Sequence, residues 1–316
     1  MDQSVQASRG ESSANSLRAP GPRIGEKVVV GVLFGASAAS VLVTVGIVFA
    51  LFSPLPRFFE FVTVREFLTG LLWAPSFAEP SFGVIPVVAG TLQVVFYAMI
   101  VSIPLGLGAA IYLAEYASDR VRKTVKPILE VLEGIPTVAT GLFAVFWLKP
   151  LIQSLTPFAD WSGPFSIGVA GVAVGFIIIP LIASVSDDAM RAVPRALRDG
   201  AYALGASKMR VALKVVMPAA ISGVVASFVL GASRAIGETM VVLLVAGGGS
   251  PQLKIGFTEG SSAMTAFIAS KATGEIATGT VDYYSIFAVG ALLFLMTLLM
   301  NIIAIRFVEK FREVYD

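Results

Sequence analysis

Apolar residues occur in six long runs along the chain, separated by shorter polar segments. A helix needs about 20 mainly apolar residues to cross the hydrocarbon core of a bilayer, and each run is of that order. The pattern therefore predicts an all-α transmembrane protein with about six membrane-spanning helices. The runs cover residues 28–52, 84–112, 128–148, 165–185, 219–246 and 283–307.

The polar segments divide the rest of the chain. Residues 1–27 are Ser-rich with a Pro-Gly-Pro break, which is typical of a disordered tail. The run that follows is too long for the apolar part of a signal peptide, about 7–15 residues. We expect an external segment at 53–83, a core of five spans at 84–308 and a short C-terminal tail at 309–316. The outer segments at 53–83 and 247–282 would either receive a solute-binding protein or form disordered connections.

Composition agrees with a membrane protein and excludes several kinds of chemistry. Hydrophobic residues make up 56% of the 316 residues and charged residues 14%, against about 25% charged in ordinary soluble domains. With no Cys and no His, thiolates, imidazole bases and the usual zinc ligands are absent. The segment that is most similar to the phosphate-binding loop of nucleotide-binding proteins has Ala206 at the position where that loop requires Lys. We therefore expect no catalytic residue, metal or cofactor in this chain.

The distribution of Lys and Arg predicts the orientation. With the N-terminus inside, four lie in the N-terminal tail, four between the second and third spans, six in the loop 186–218 and three near the C-terminus. Five lie on the outer side, and one, Arg234, lies within a span. Because Lys and Arg favour the cytoplasmic loops, we expect both termini to be cytoplasmic.

The loop 186–218 has the spacing of two short helices joined by a turn. We expect Asp199 to cap a helix through Tyr202 and Leu204, and Gly205 to form the turn that ends it. Ser207 is placed to cap the next helix. A short exposed helix with apolar anchors suits docking into a groove of a partner. The alternative is an amphipathic loop that rests on lipid headgroups, helped by its six basic residues.

This loop resembles the EAA motif of binding-protein-dependent ABC permeases, in which EAA, three residues, Gly, nine residues and I-x-L-P follow one another. Asp199, Gly200 and Ala201 stand at the EAA positions, and Gly205 and Pro218 match the Gly and the Pro. The resemblance implies that this is the coupling helix, which docks on the ATP-binding subunit. The residues implied in that contact are Asp199, Gly200, Ala201, Tyr202, Leu204 and Gly205.

Two opposite charges lie four residues apart in the fifth run. Arg234 is 15 residues from its start, roughly 22 Å along a helix, where a charge costs at least about 2.5–3.5 kcal/mol. The spacing places Glu238 on the same helix face. Guanidinium suits an oxyanion through two parallel hydrogen bonds. Glu238 would hold Arg234 in the empty passage and accept a hydrogen bond from a protonated anion, which favours phosphate over sulfate. The alternative is a structural ion pair that only sets helix packing.

Residues 231–240 closely resemble the G-x-x-RA-x-GETM segment of PstC-type phosphate permeases, and residues 105–116 and 134–137 also resemble that family. The resemblance implies the fold of a type I (MetI-like) ABC importer permease. It further implies a permease subunit of an ATP-driven importer of inorganic phosphate in a bacterial inner membrane. Arg234, Glu238 and Thr239 would then line the substrate passage.

The same resemblance implies the partners. They are a PstA-like second permease, two copies of a PstB-like subunit that binds and hydrolyses ATP, and an external PstS-like phosphate-binding protein. The alternatives are a permease for sulfate or molybdate, the companion PstA-type permease, and a passive anion channel or membrane scaffold without an ATPase. Three further acidic residues, Glu115, Glu130 and Glu133, are expected to be solvated or to form interfacial ion pairs.

Overall fold

The computed structural model describes residues 24–161, 163–247, 252–274 and 276–311, and it is mainly helical. The chain divides into two units, residues 1–53 and 54–316. The first contains α1 (Ile24–Phe52). The helices of the second are α2 (Leu55–Phe61), α3 (Val64–Thr69), α4 (Ile85–Ile111), α5 (Asp119–Glu133), α6 (Thr137–Phe143), α7 (Lys149–Leu155), α8 (Ile167–Ala192), α9 (Arg195–Ala203), α10 (Lys208–Val211), α11 (Met217–Ala219), α12 (Ile221–Gly237), α13 (Met240–Ala246), α14 (Met264–Ala272) and α15 (Val281–Phe311).

The other regular elements of the described residues are three π-helical turns and one small hairpin. The π turns continue α4, join α6 to α7 and join α10 to α11; they are Tyr112–Tyr116, Ala144–Leu148 and Ala212–Val216. The strands β1 (Trp73–Ala74) and β2 (Ser81–Phe82) pair antiparallel, with Trp73 opposite Phe82. In the described chain, five helical stretches are long and apolar enough to cross a membrane. A sixth membrane span is present if the two helical parts of residues 208–237, which are bent by 74° relative to each other, form one span. The structure thus contains five or six candidate spans, which confirms the predicted number of about six.

The helix α1 exposes its apolar side chains, among them Phe34 at 74% and Phe49 at 73%. Such a surface suits lipid, which takes the place that a protein core would otherwise fill. The helix begins at Ile24, so the disordered tail predicted for 1–27 is wrong for residues 24–27. Residues 1–23 lie outside the described residues.

The helix α8 is the centre of the second unit, and it packs along α4 at close range. A Cβ on Gly171 would lie 2.5 Å from the Tyr97 Cβ, and one on Gly175 would lie 2.9 Å from the Ala98 carbonyl oxygen. Small residues at such positions let two helix backbones approach each other. A Cβ on Gly108, in contrast, would meet no described atom within 4 Å.

A buried hydrogen bond joins α8 to α12. The hydroxyl groups of Ser186 and Ser227 are 2.8 Å apart, and the Ser227 hydroxyl also donates to the Val224 carbonyl at 2.7 Å. Both serines are fully buried. Each helix thus satisfies a polar group of the other within an otherwise apolar interface.

The third apolar run is two structures instead of one span at 128–148. The first is α5, which carries the basic residues Arg122, Lys123 and Lys126 on an amphipathic surface. A break at residues 134–136 follows, and a new helical stretch then runs from Thr137 to Leu155. Pro136 explains the break because it disfavours helical backbone at the residue before it. The predicted loop 186–218 also begins later, since α8 continues to Ala192.

The predicted outer segment 53–83 is folded, which contradicts the alternative that it is a disordered connection. It contains α2, α3 and the hairpin, and its aromatic rings pack edge to face. Phe58 lies against Phe67 and Phe82 at centroid distances of 5.5 and 5.6 Å, and Trp73 lies 5.0 Å from Phe267 of α14. These rings are at most 5% exposed. The predicted docking of a solute-binding protein on the outer segments stays a prediction.

Candidate functional site

The fifth apolar run contains a break at the predicted substrate residues. The helix α12 ends at Gly237, Glu238 is extended (φ −66°, ψ 126°), and α13 begins at Met240. The Glu238 carboxylate accepts hydrogen bonds from the amides of Thr239 (3.1 Å) and Val241 (3.4 Å). A carboxylate that bonds nearby amides in this way competes with a continuous helix. The prediction of one helix over 219–246 is therefore wrong.

The ion partner of Arg234 is Glu133 of α5. The Arg234 Nη1 lies 2.5 Å from the Glu133 Oε1, and its Nη2 donates to the Glu133 carbonyl at 3.3 Å. The predicted arrangement of Arg234 and Glu238 on one helix face is wrong, because the helix ends before Glu238. The pairing expected for Glu133 is confirmed. The two residues are 101 positions apart, so no local spacing in the sequence reveals the pair.

The side chains of Arg234 and Glu133 are both partly exposed. The Arg234 side chain is 32% exposed and that of Glu133 is 34% exposed. Beside them, a Cβ on Gly237 would meet no described atom within 4 Å. Thr239 lies in the break and donates its hydroxyl hydrogen to the Gly237 carbonyl at 3.1 Å. A guanidinium group, which can form two parallel hydrogen bonds with an oxyanion, thus lies near open space at a helix break.

A contact from α14 fixes the backbone of the break. Thr265 donates its side-chain hydroxyl to the Glu238 carbonyl oxygen at 2.7 Å, and Thr265 itself is 6% exposed. This bond satisfies a carbonyl group that the end of α12 leaves without a helical partner. The break is thus held by a neighbouring helix as well as by its own side chains.

The predicted coupling segment is a helix, a turn and a second helix. Gly205 has a φ of +78°, a conformation that favours glycine, and the Ser207 hydroxyl accepts a hydrogen bond from the Arg210 amide at 3.4 Å. Both predictions are confirmed. The cap predicted at Asp199 is wrong, because α9 begins after Pro194 and contains Asp199, Gly200, Ala201 and Tyr202. Leu204 is 90% exposed and Tyr202 41% exposed, so apolar surface is available to a partner.

Arg198 attaches α9 to the membrane helices. Its Nε and Nη2 donate to the Glu115 Oε1 at 3.1 and 3.0 Å, and its other bonds go to the carbonyls of Val193 (2.6 Å) and Met190 (2.7 Å). None of the nine residues of α9, all of them described, is buried. This side chain and the partly buried Ala201, which packs against a core cluster, hold α9 in place. Of the two environments expected for Glu115, solvent or an interfacial ion pair, the structure shows the ion pair, and local spacing does not point to Arg198 as the partner.

A second set of ion pairs fixes α5 to the end of α8. Arg122 donates to the fully buried Asp187 carboxylate at 2.9 Å, and Lys126 pairs with Asp188. Arg191 also approaches Asp187, at 3.6 Å. The helix α5 is thus held by charges near its middle and by the pair of Glu133 and Arg234 at its last residue.

Comparisons with known proteins agree with this architecture. The model of the family described as "Binding-protein-dependent transport system inner membrane component" matches residues 102–313. The chain is 32% identical to the probable ABC transporter permease protein YqgH of Bacillus subtilis, over 80% of each chain. It is 30% identical to the phosphate transport system permease protein PstC of Haemophilus influenzae, over 78% of this chain and 82% of that protein.

A solved structure shows the same fold. A chain of a bacterial alginate ABC transporter, crystallised with an alginate pentasaccharide-bound periplasmic protein, aligns with a TM-score of 0.54. The alignment covers 90% of this chain and 96% of that one, at 16% sequence identity. The arrangement of helices is therefore shared where the sequences have diverged widely.

Proposed function

This chain belongs to the family of binding-protein-dependent transport system inner membrane components, and we propose that it is the permease subunit of an ATP-driven importer of inorganic phosphate. It is a multi-pass membrane protein, in a family of transporter permeases. The partly exposed guanidinium of Arg234 at the break between α12 and α13 supports an anionic substrate. The similarity of this chain to a phosphate permease of Haemophilus influenzae supports phosphate as that anion.

The proposed assembly contains four kinds of subunit. This chain and a second permease form the path, two ATP-binding subunits bind and hydrolyse ATP, and an external protein delivers phosphate. The exposed Tyr202 and Leu204 beside the turn at Gly205 supply the contact with an ATP-binding subunit. The excess of Lys and Arg in the proposed inner loops supports a bacterial inner membrane location with both termini in the cytoplasm.

Transport then depends on alternating access around Arg234. ATP binding closes the two ATP-binding subunits and displaces α9. Because Arg198 bonds to Glu115 and to the end of α8, this displacement moves the ends of α4 and α8. The break between α12 and α13 opens first to one side of the membrane and then to the other. The charge of Arg234 offsets the free-energy cost of removing water from the anion.

Uptake into vesicles that carry the whole complex tests the proposal. Radioactive phosphate should accumulate when ATP is supplied to the cytoplasmic face, and omission of ATP is the control. Unlabelled phosphate should compete strongly, whereas sulfate and molybdate should compete weakly. Stronger competition by sulfate or molybdate would assign the chain to another oxyanion, and accumulation that is independent of ATP would refute an ATP-driven importer.

A further inference from the structure

We propose that Glu133 is an internal counterion that competes with the transported anion for Arg234. This inference rests on the proposed function, because it concerns the same guanidinium group. It adds a residue that acts on substrate binding from another helix. When the passage is empty, the Glu133 carboxylate neutralises Arg234, and the anion binds only as this carboxylate leaves.

The geometry of the pair supports competition. Both terminal nitrogens of Arg234 bond to Glu133, one to the carboxylate and the other to the carbonyl oxygen. An oxyanion that binds guanidinium through two parallel hydrogen bonds needs donors from the same planar group. The carboxylate and the anion carry the same sign of charge, so their simultaneous binding is opposed by repulsion as well as by shared donors.

The other acidic residue at the break is not placed for this role. The Glu238 carboxylate accepts hydrogen bonds from the amides of Thr239 and Val241. These bonds direct it to the start of α13, and Arg234 lies in the helix before the break. Glu133 is therefore the residue that neutralises Arg234 in this conformation.

Glu133 lies on a helix that can shift without opening an apolar core. All fifteen residues of α5 are described, and none is buried. Its contacts with α8 include the ion pairs of Arg122 with Asp187 and of Lys126 with Asp188. Gly134 follows Glu133 directly and separates α5 from α6. Because both side chains of the pair are about one-third exposed, water and ions can replace the contact at low net cost.

The test measures how fast phenylglyoxal modifies Arg234 in the purified complete complex, by mass spectrometry of the peptide that contains it. Inorganic phosphate is the competing ligand, and chloride at equal ionic strength is the control. Glu133→Gln is compared with Glu130→Gln, which removes the same charge from an exposed position one turn earlier on α5. Glu130 makes no ion pair with any described residue. Glu133→Asp retains the charge and provides a milder change should Glu133→Gln impair assembly.

Glu133→Gln should raise the rate of modification several-fold, and phosphate should protect at a concentration about tenfold lower than in the unmodified complex. Glu130→Gln should behave like the unmodified complex, and Glu133→Asp should give intermediate values. If phosphate protects all variants at the same concentration, the role of Glu133 is refuted and the proposed function stands. If phosphate protects none of them, including the unmodified complex, the anion-binding role of Arg234 fails and this inference fails with it.

Discussion

The partly buried ion pair of Arg198 and Glu115, which links α9 to the π turn after α4, leads to a quantitative prediction for Glu115→Gln. This substitution keeps the shape of the side chain and removes the negative charge that faces Arg198. The Glu115 side chain is 4% exposed and that of Arg198 is 15% exposed. The remaining guanidinium would therefore be left in a poorly solvated place with weaker compensation.

The size of the effect follows from the contacts that remain. Removal of one partner from a fully buried ion pair costs about 3–5 kcal/mol. Arg198 retains the carbonyls of Met190 and Val193, at 2.7 and 2.6 Å, and the new amide oxygen still accepts one hydrogen bond. We therefore expect a smaller cost, about 2 kcal/mol. That corresponds to roughly a 30-fold rise in the equilibrium constant for local opening of α9.

Hydrogen exchange of the α9 amides in the purified complex measures this opening. Amides of residues 199–203 should exchange about 30-fold faster in Glu115→Gln, since exchange there reports local unfolding. Asp188→Asn is the matched control, because Asp188 also pairs with a basic residue but its side chain is 57% exposed. An exposed pair contributes about 0–1 kcal/mol, so this variant should change exchange in α9 by less than about fivefold.

The reasoning would be refuted if the two variants gave equal exchange rates in α9. It would also be refuted if Glu115→Gln matched the unmodified protein while the complex remained assembled. In either case α9 would be held by its backbone bonds and its neighbouring turns.

Four further predictions concern other parts of the chain. Gly171→Val should lower the free energy of unfolding of the purified subunit, measured by thermal unfolding, by about 1–3 kcal/mol, because a Cβ at residue 171 would lie 2.5 Å from the Tyr97 Cβ. Gly108→Val is the control, because a Cβ at residue 108 would meet no described atom within 4 Å. Gly205→Asp should leave the subunit folded but uncouple ATP hydrolysis from uptake, and normal uptake would exclude the turn from coupling. Arg234→Gln should lower phosphate uptake by about ten- to a hundredfold, from the loss of one charged hydrogen bond of about 1.5–3 kcal/mol; unchanged uptake would remove Arg234 from the passage. In spheroplasts, added protease should cleave a site inserted after Ile255 and should not cleave one at the C-terminus, and the reverse result would overturn the predicted orientation.

Much of the architecture follows from the sequence because hydrophobic length is a strong signal in membranes. A span must satisfy its backbone groups internally and expose apolar side chains, so a long apolar run has few alternatives to a helix. The residues at which the helices begin and end were less predictable. The run at 128–148 joined the end of amphipathic α5 to the start of a membrane helix, and only the break before Thr137 separates them.

The substrate role of Arg234, Glu238 and Thr239 stays a prediction, and the sequence did not predict that Arg234 pairs with Glu133. The four-residue spacing of Arg234 and Glu238 indicates one helix face if the helix is continuous. The Glu238 carboxylate accepts hydrogen bonds from the amides of Thr239 and Val241, and α12 ends at Gly237, so the helix is not continuous. The true partner, Glu133, is brought near by tertiary packing, which neither hydropathy nor local spacing encodes. The aromatic cluster at 53–83 was missed for the same reason, because its ring contacts reach α14.

The buried serine pair also bears on the order in which the protein is assembled during synthesis. The chain emerges from its N-terminus, so α8 enters the bilayer before α12 and its Ser186 hydroxyl first lacks the acceptor on Ser227 that it later bonds. A serine in a lone helix is accommodated by bonding a carbonyl of its own preceding turn. Arrival of α12 then exchanges that temporary bond for the contact between the two helices. Helices α8 and α12 should therefore associate in ribosome-bound chains truncated after residue 227 and not in chains truncated before it. Formation of the bond between Ser186 and Ser227 would then accompany the packing of these two helices.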